Sequence, residues 1–350
     1  MSVAQIFNDQ AEACENLGSR FTARVLGALG RAMTPGYAVA DTILAWKGDI
    51  SAVGDSVPLR LAGGMHALVL SARDPKLAAV YPPNAGVSDR ELGELLCKAL
   101  ISHREFLLNW IKSPPQTNEI SRTAVLIAAG HLLSNRFEMP LRLLELGASA
   151  GLNLLWDQVG LVANGAVFGP KNASICLSPE WKGTPPPRGN PRIISRAGVD
   201  LNPLNPANSD DRLRLLAYIW PDQPVRLERI RHAFDLAAKT PVNVAQSDAI
   251  DWLKCQLSQP NIGAVTLIFH TIAWQYFSKP VQDHGKSVIE KAGQKANMSA
   301  PIAWLSMEAD GKAPSAALAL RLWPGDIHMD LGRADFHGRW IDWRGPNATD

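Results

Sequence analysis

The chain has 350 residues, 46% of them apolar and 19% charged, with a formal net charge of +2. That length buries a sizeable core, and the composition excludes an intrinsically disordered chain and a general polyanion binder, so no nucleic-acid partner is expected. The cysteines, Cys14, Cys97, Cys176 and Cys255, are scattered without zinc-ligand spacing, so no metal is expected. The N-terminus has no apolar signal core, and no apolar run approaches the ~20 residues that a bilayer span needs. With reduced thiols, this predicts a cytoplasmic protein with no membrane partner.

Residues 1–137 read as a helical N-terminal region, a cap on the rest of the chain. Residues 3–30 give one helix and Pro58 to Ala72 another. Ser88-Asp-Arg-Glu91 reads as a capping box before an apolar stripe, Leu92, Leu95, Leu96, Ala99, Leu100, His103, Phe106, Leu107 and Trp110. On that stripe His103 reads as a packed core histidine. Pro114 and Pro115 stop the helix, and Thr117 or Asn118 caps the next. This connection, with Gln116, Asn118, Glu119 and Arg122, is either a plain helix junction or a polar rim over the tight turn at residues 147–151.

Residues 138–350 read as an α/β domain. Leu141 to Leu146 is a buried strand, Gly147-Ala-Ser-Ala-Gly151 a tight turn, and Leu152 onward a helix start. Such a turn offers backbone N–H groups to the polar end of a nucleotide-like ligand. An insert, residues 159–191, carries a Pro/Gly-rich loop, with Ala166-Val-Phe and Ser174-Ile-Cys-Leu pairing as a hairpin. Strands then end at Asp200, Asp248, His270 and Glu308, alternating with helices. Ser209 or Asp210 caps the helix running to Trp220, and Arg226, Arg229, Arg231 and His232 read as a solvated helix face. The closing strands lack an intervening helix. The expected architecture is therefore a doubly wound, Rossmann-like, mostly parallel seven-stranded sheet with an antiparallel edge hairpin. Ligands of such sheets bind beyond the carboxyl ends of the strands.

With Glu145-Leu-Gly147-Ala-Ser-Ala-Gly151, Gly198-Val-Asp200 and Ser247-Asp248-Ala249 at those ends, the second half resembles the class I S-adenosylmethionine-dependent methyltransferases. The wording PPQTNE, ELGASAGLNL, GVDLNPLN and FHTIAWQYF is similar to a bacterial family of uncharacterised proteins over roughly residues 60–345. The methyltransferase resemblance implies S-adenosylmethionine as cofactor, with Glu145, Gly147 and Gly151 at its methionine end. Asp200 would sit on the ribose and Asp248 near the adenine, with Ser149, Asn153 and Ala249 completing the contact set. It implies a small or medium substrate, His270 as base or substrate contact, and Gln116, Asn118, Arg122, Trp274 and Tyr276 near the substrate. His328 and His337 rank below His270. Two departures stand out: Ser149 replaces the usual middle glycine, and the insert lengthens the separation to Asp200, so it must loop out. The same turn also matches G-x-S-x-G, an esterase-type nucleophile elbow at Ser149, with Asp248 or Asp310 and His328 or His337 completing a triad. A non-catalytic binding protein of the methyltransferase type is the third reading.

Overall fold

The computed structural model describes residues 2–84 and 86–345. In chain order it runs α1 (Val3–Asn16), α2 (Arg20–Ala32), α3 (Ala38–Leu44), α4 (Val57–Leu70), α5 (Pro75–Ala78), α6 (Asp89–Ser102), α7 (Arg104–Trp110) and α8 (Thr123–Phe137). Next are β1 (Leu141–Leu146), β2 (Gly160–Ala163), β3 (Ala166–Phe168), β4 (Cys176–Leu177), β5 (Glu180–Lys182) and β6 (Ile193–Asp200). Then come α9 (Ser209–Ala217), α10 (Pro224–Lys239), β7 (Asn243–Gln246), α11 (Ala249–Gln256), β8 (Val265–Thr271) and α12 (Lys279–Gly293). The chain closes with β9 (Ile302–Ala309), β10 (Ala316–Trp323), β11 (Ile327–Ala334) and β12 (Trp340–Trp343). Two compact units emerge: a helical one, Met1–Thr117 with Asn208–Ile230, and an α/β one, Asn118–Ala207 with Arg231–Asp350.

In the helical unit, side-chain caps set the helix starts. Ser2, Ser19 and Ser88 accept N–H groups of Gln5, Thr22 and Glu91 through their hydroxyls. The single helix expected over residues 3–30 breaks at Gly18, which takes φ +96°. The stripe from Leu92 to Trp110 likewise breaks, at His103. The ring of His103 does not simply pack: its Nε2 lies 3.1 Å from Asp74 Oδ2. Asn208, rather than Ser209 or Asp210, caps α9, its side-chain oxygen taking the N–H groups of Asp210 and Asp211. Phe7, Leu26, Leu29, Leu61, Met65 and Leu96 anchor the core of this unit.

The α/β unit is built on a nine-stranded sheet of order β5-β12-β11-β10-β9-β8-β1-β6-β7. The run from β9 to β7 is wholly parallel. Strands β9 to β12 form an antiparallel meander, and β5 adds parallel to β12. The count of seven is thus corrected to nine. The closing region supplies three strands instead of a hairpin, and Glu180–Lys182 of the insert joins the far edge. The rest of the insert is a separate small sheet in which β2 pairs with both β3 and β4, so the expected β3–β4 hairpin does not form.

Side-chain alternation gives the sheet two distinct faces. Leu144, Leu146, Val199, Ile268 and Ile302 share one face with Ala249 and Leu253 of α11 and Ile289 of α12. Glu145 has the opposite parity and pairs in register with Phe269 and Gly198. Counting the parallel strands in their own chain order, the sheet reads 3-2-1-4-5, so its order reverses between β1 and β8. At such a reversal the connections leave on opposite sides and open a crevice at the carboxyl ends of the strands.

Candidate functional site

The turn after β1 lies at that reversal. Gly147, Ser149 and Gly151 take φ +68°, +52° and +70°. A side chain at 147 would be strained by its positive φ and would bring its Cβ within 2.5 Å of that of Ala273. Gly198, beside the turn on β6, is equally tight: a Cβ there would meet that of Ala148 at 2.6 Å. Ser149 likewise carries a left-handed backbone, and its hydroxyl is buried. The segment after the turn is not the expected α-helix start. Leu152–Gln158 is a 3₁₀ segment kinked at Leu155.

Backbone donors of the turn are already engaged: Gly147 and Ala148 N–H donate to Val199 O, Gly151 N–H donates to Ala148 O, and side chains take two more. Ser149 N–H donates to Asp200 Oδ2 at 2.8 Å, and Leu152 N–H donates to Asn118 Oδ1 at 3.0 Å. Asp200 Oδ1 also accepts from Asn202 N–H at 2.9 Å. The turn is thus held from both sides by groups far away in sequence.

The turn and its two flanks bury three polar side chains. Glu145 and Asn153 are each 2% exposed and Ser149 is 6% exposed. Glu145 Oε2, Ser149 Oγ and Asn153 Oδ1 have no hydrogen-bond partner among the described residues. Burial pushes the Glu145 carboxyl well above the usual range, with Asp200 adding to the effect; the Asn153 amide and the Arg122 charge oppose it. Burial thus favours the neutral form of Glu145, and a cation beside it would favour the ionised form.

The other strand ends carry Asp248, His270 and Glu308. Asp248 is exposed and caps α11, its Oδ1 accepting from Ile250 and Asp251 N–H at 2.8 and 3.0 Å, while Ala249 is buried behind it. At the end of β8, His270 is 1% exposed. Its Nε2 accepts from the Trp304 indole N–H at 3.0 Å, because an indole can only donate. Its Nδ1 therefore carries the proton and donates to Glu308 Oε1 at 2.7 Å. Both ring nitrogens are engaged, so His270 presents no open lone pair to a substrate.

Glu308 is the hub of this corner, where it also accepts from Ala273 and Trp274 N–H, both at 3.0 Å. Burial alone would raise its carboxyl, but the His270 hydrogen bond and these N–H groups outweigh it and hold the group below its usual range. The Trp274 ring stacks on His270 with centroids 4.8 Å apart, so it packs this corner, whereas Tyr276 is 73% exposed. Arg122 ties the approach to α8 to the same corner. Its guanidinium donates to Thr271 O and Phe336 O, each at 3.0 Å.

Of the expected polar rim, Asn118 and Arg122 reach the turn and the β8 end. Glu119 turns back on its own segment to accept from Ser121 N–H, and Gln116 belongs to the helical unit. Thr123–Phe137 is preceded by a 3₁₀ turn, so neither Thr117 nor Asn118 caps it directly. Trp304 had no signal in the sequence, since its role depends on the register of β8 with β9, which pairs His270 with Ser306 and Ile268 with Trp304. Asp310 is engaged by Arg333, in a concavity of about 650 Å³ on β9 to β11 that shares no residue with the turn. The arginines of that concavity pair with Glu290, Asp326, Asp310 and Asp330. Among the described residues no group of three or more His, Cys, Asp or Glu could hold a metal ion. Nor is any helix among them long and apolar enough to cross a membrane.

The chain belongs to a bacterial family described as an uncharacterized protein conserved in bacteria, DUF2332, which matches residues 4–343. No curated protein and no solved structure matches it.

Proposed function

We propose that this family member binds S-adenosylmethionine at the turn after β1 and transfers its methyl group to a small or medium molecule. The observation that carries this reading is the set of buried oxygens of Glu145, Ser149 and Asn153, unpartnered among the described residues, at the strand-order reversal. An α-ammonium group donates to such oxygens and brings a positive charge that favours the ionised form of Glu145, and the cofactor ends in one. The parallel order 3-2-1-4-5 is the start of the dinucleotide-fold order and supports a Rossmann-like assignment of this unit. Asp200 uses two of its roughly four lone-pair positions on backbone N–H groups and retains the rest for ribose hydroxyls. Asp248 lies one strand further out, where the adenine would lie.

The protein's part in the reaction is alignment of the methyl donor with the acceptor. With both nitrogens engaged, His270 acts as a positioning residue: it holds Glu308, which holds the 273–275 backbone. The esterase reading lacks a base within reach. The Ser149 hydroxyl has no hydrogen-bond partner among the described residues, and a serine nucleophile needs one.

Calorimetry with two ligands tests the proposal. S-adenosylhomocysteine carries the ammonium, and methylthioadenosine lacks the whole amino-acid part. The first should bind at least roughly tenfold more tightly, the worth of one charge-assisted hydrogen bond. Glu145→Gln should erase most of that difference. Equal affinity for both ligands would remove the ammonium from the turn, and no binding of either would end the cofactor reading.

A further inference from the structure

The helical unit holds a second buried polar cluster, of opposite character. Trp110 closes α7, Arg214 lies on α9, and Tyr218 comes directly after that helix. The Arg214 guanidinium carbon lies 4.3 Å from the centre of the Trp110 ring, and the Trp110 and Tyr218 centroids are 6.1 Å apart. Trp110 is 6% exposed and Tyr218 8% exposed. Trp110 Nε1, Arg214 Nη1 and Tyr218 Oη are all buried without a hydrogen-bond partner among the described residues.

An indole and a guanidinium only donate, and a phenol donates one hydrogen. Burial raises the Tyr218 phenol, against the charge of Arg214 and the nearby Trp110 N–H, so it stays protonated. Even where these groups pair with one another, the phenol oxygen is the sole acceptor, and hydrogens remain in surplus. The backbone makes room for the two rings: Gly63 and Gly64 are consecutive in α4, an unfavourable choice for a helix interior. A Cβ at 63 would come within 2.5 Å of the Tyr218 ring, and one at 64 within 3.1 Å of the Trp110 ring.

We propose that Trp110, Arg214 and Tyr218 form an oxyanion-binding site that takes a carboxylate or a phosphoryl group. Arg214 supplies the charge, and all three groups supply hydrogen bonds, which are strong when the acceptor is ionised. The site goes beyond the cofactor reading and does not depend on it.

The full chain, isotope-labelled on its tryptophan indoles, allows a direct test by nuclear magnetic resonance. It is titrated with acetate in one arm and inorganic phosphate in the other, against chloride at matched ionic strength. Trp110→Phe identifies the Trp110 N–H signal. That signal should shift saturably with acetate, with phosphate or with both, and not with chloride. Response to acetate alone assigns a carboxylate ligand, and response to phosphate alone a phosphoryl group. Arg214→Gln should weaken the response roughly tenfold or more, as loss of a hydrogen bond between charged groups does. Tyr218→Phe keeps the ring against Gly63 and should weaken it several-fold, which decides the matter should the arginine variant not fold. The absence of a saturable shift with either anion overturns the proposal, as does unchanged affinity in the folded variants.

Discussion

Glu145, Ser149 and Asn153 each bury an oxygen without a hydrogen-bond partner among the described residues; Trp110, Arg214 and Tyr218 form a trio in which donor hydrogens outnumber acceptors. The first trio lies on a left-handed turn between parallel strands, the second among helices with two glycines beneath it. A buried polar group lacking a partner costs roughly 1–3 kcal/mol, so neither cluster is explained by stability. Their unpartnered atoms are the basis for the two proposed ligands, a cation at the turn and an anion among the helices.

The largest expected effect comes from disturbing the turn. Gly147→Val adds a strained φ and a clash with Ala273, and should lower the unfolding free energy by about 2–4 kcal/mol in denaturant titrations. A loss below about 1 kcal/mol would mean that the turn relaxes freely and does not hold the cluster in one geometry. Next, Glu308→Gln removes the charge that His270 and the 273–275 backbone share, and should cost about 1.5–3 kcal/mol at neutral pH. Because folding lowers the Glu308 carboxyl, its contribution is present above the ordinary carboxylate pKa and lost as pH falls through the depressed value. Variant and wild type should therefore converge in acid, and a constant gap across pH would contradict this role.

Glu145→Gln should behave in the opposite sense. Folding raises the Glu145 carboxyl, so its native protonation contributes stability below the ordinary pKa that is lost as pH rises through the raised value. The glutamine variant should match wild type in acid and exceed it increasingly toward alkaline pH. Smallest of all, Tyr218→Phe removes one surplus donor without changing shape. It should leave stability unchanged or raised, because the phenol removed has no partner among the described residues, whereas a tyrosine bonded within the protein would cost about 1 kcal/mol on removal.

Much of the α/β half is legible in the sequence because its strands are short apolar runs with polar ends, and period and turn chemistry mark both. Asp200 and Asp248 could be placed at strand ends without knowing the sheet order. Strand order, edge pairing and face are long-range properties. They left β5 unrecognised as the far edge strand and made the β10–β12 meander look like a hairpin. His270 shows the same limit: its place at the end of β8 is local, but its engagement by Trp304 and Glu308 depends on the register with β9. The donor trio could not be assembled from the sequence, because Trp110 and Arg214 are separated by about a hundred residues of chain and meet only through helix packing. The helix glycines at 63 and 64 were the one local sign, and in isolation they say nothing about which rings they seat.

Central to the proposed function is the raised Glu145 carboxyl: a cofactor's ammonium beside it would favour the ionised form, so that binding would release a proton. Calorimetric titration of the wild-type protein with S-adenosylhomocysteine at neutral pH, in two buffers of different ionisation enthalpy, measures this directly. The account predicts saturable binding whose heat differs between the buffers in the sense of proton release, with the difference abolished in Glu145→Gln. Binding with identical heats in both buffers, or no binding, would contradict it.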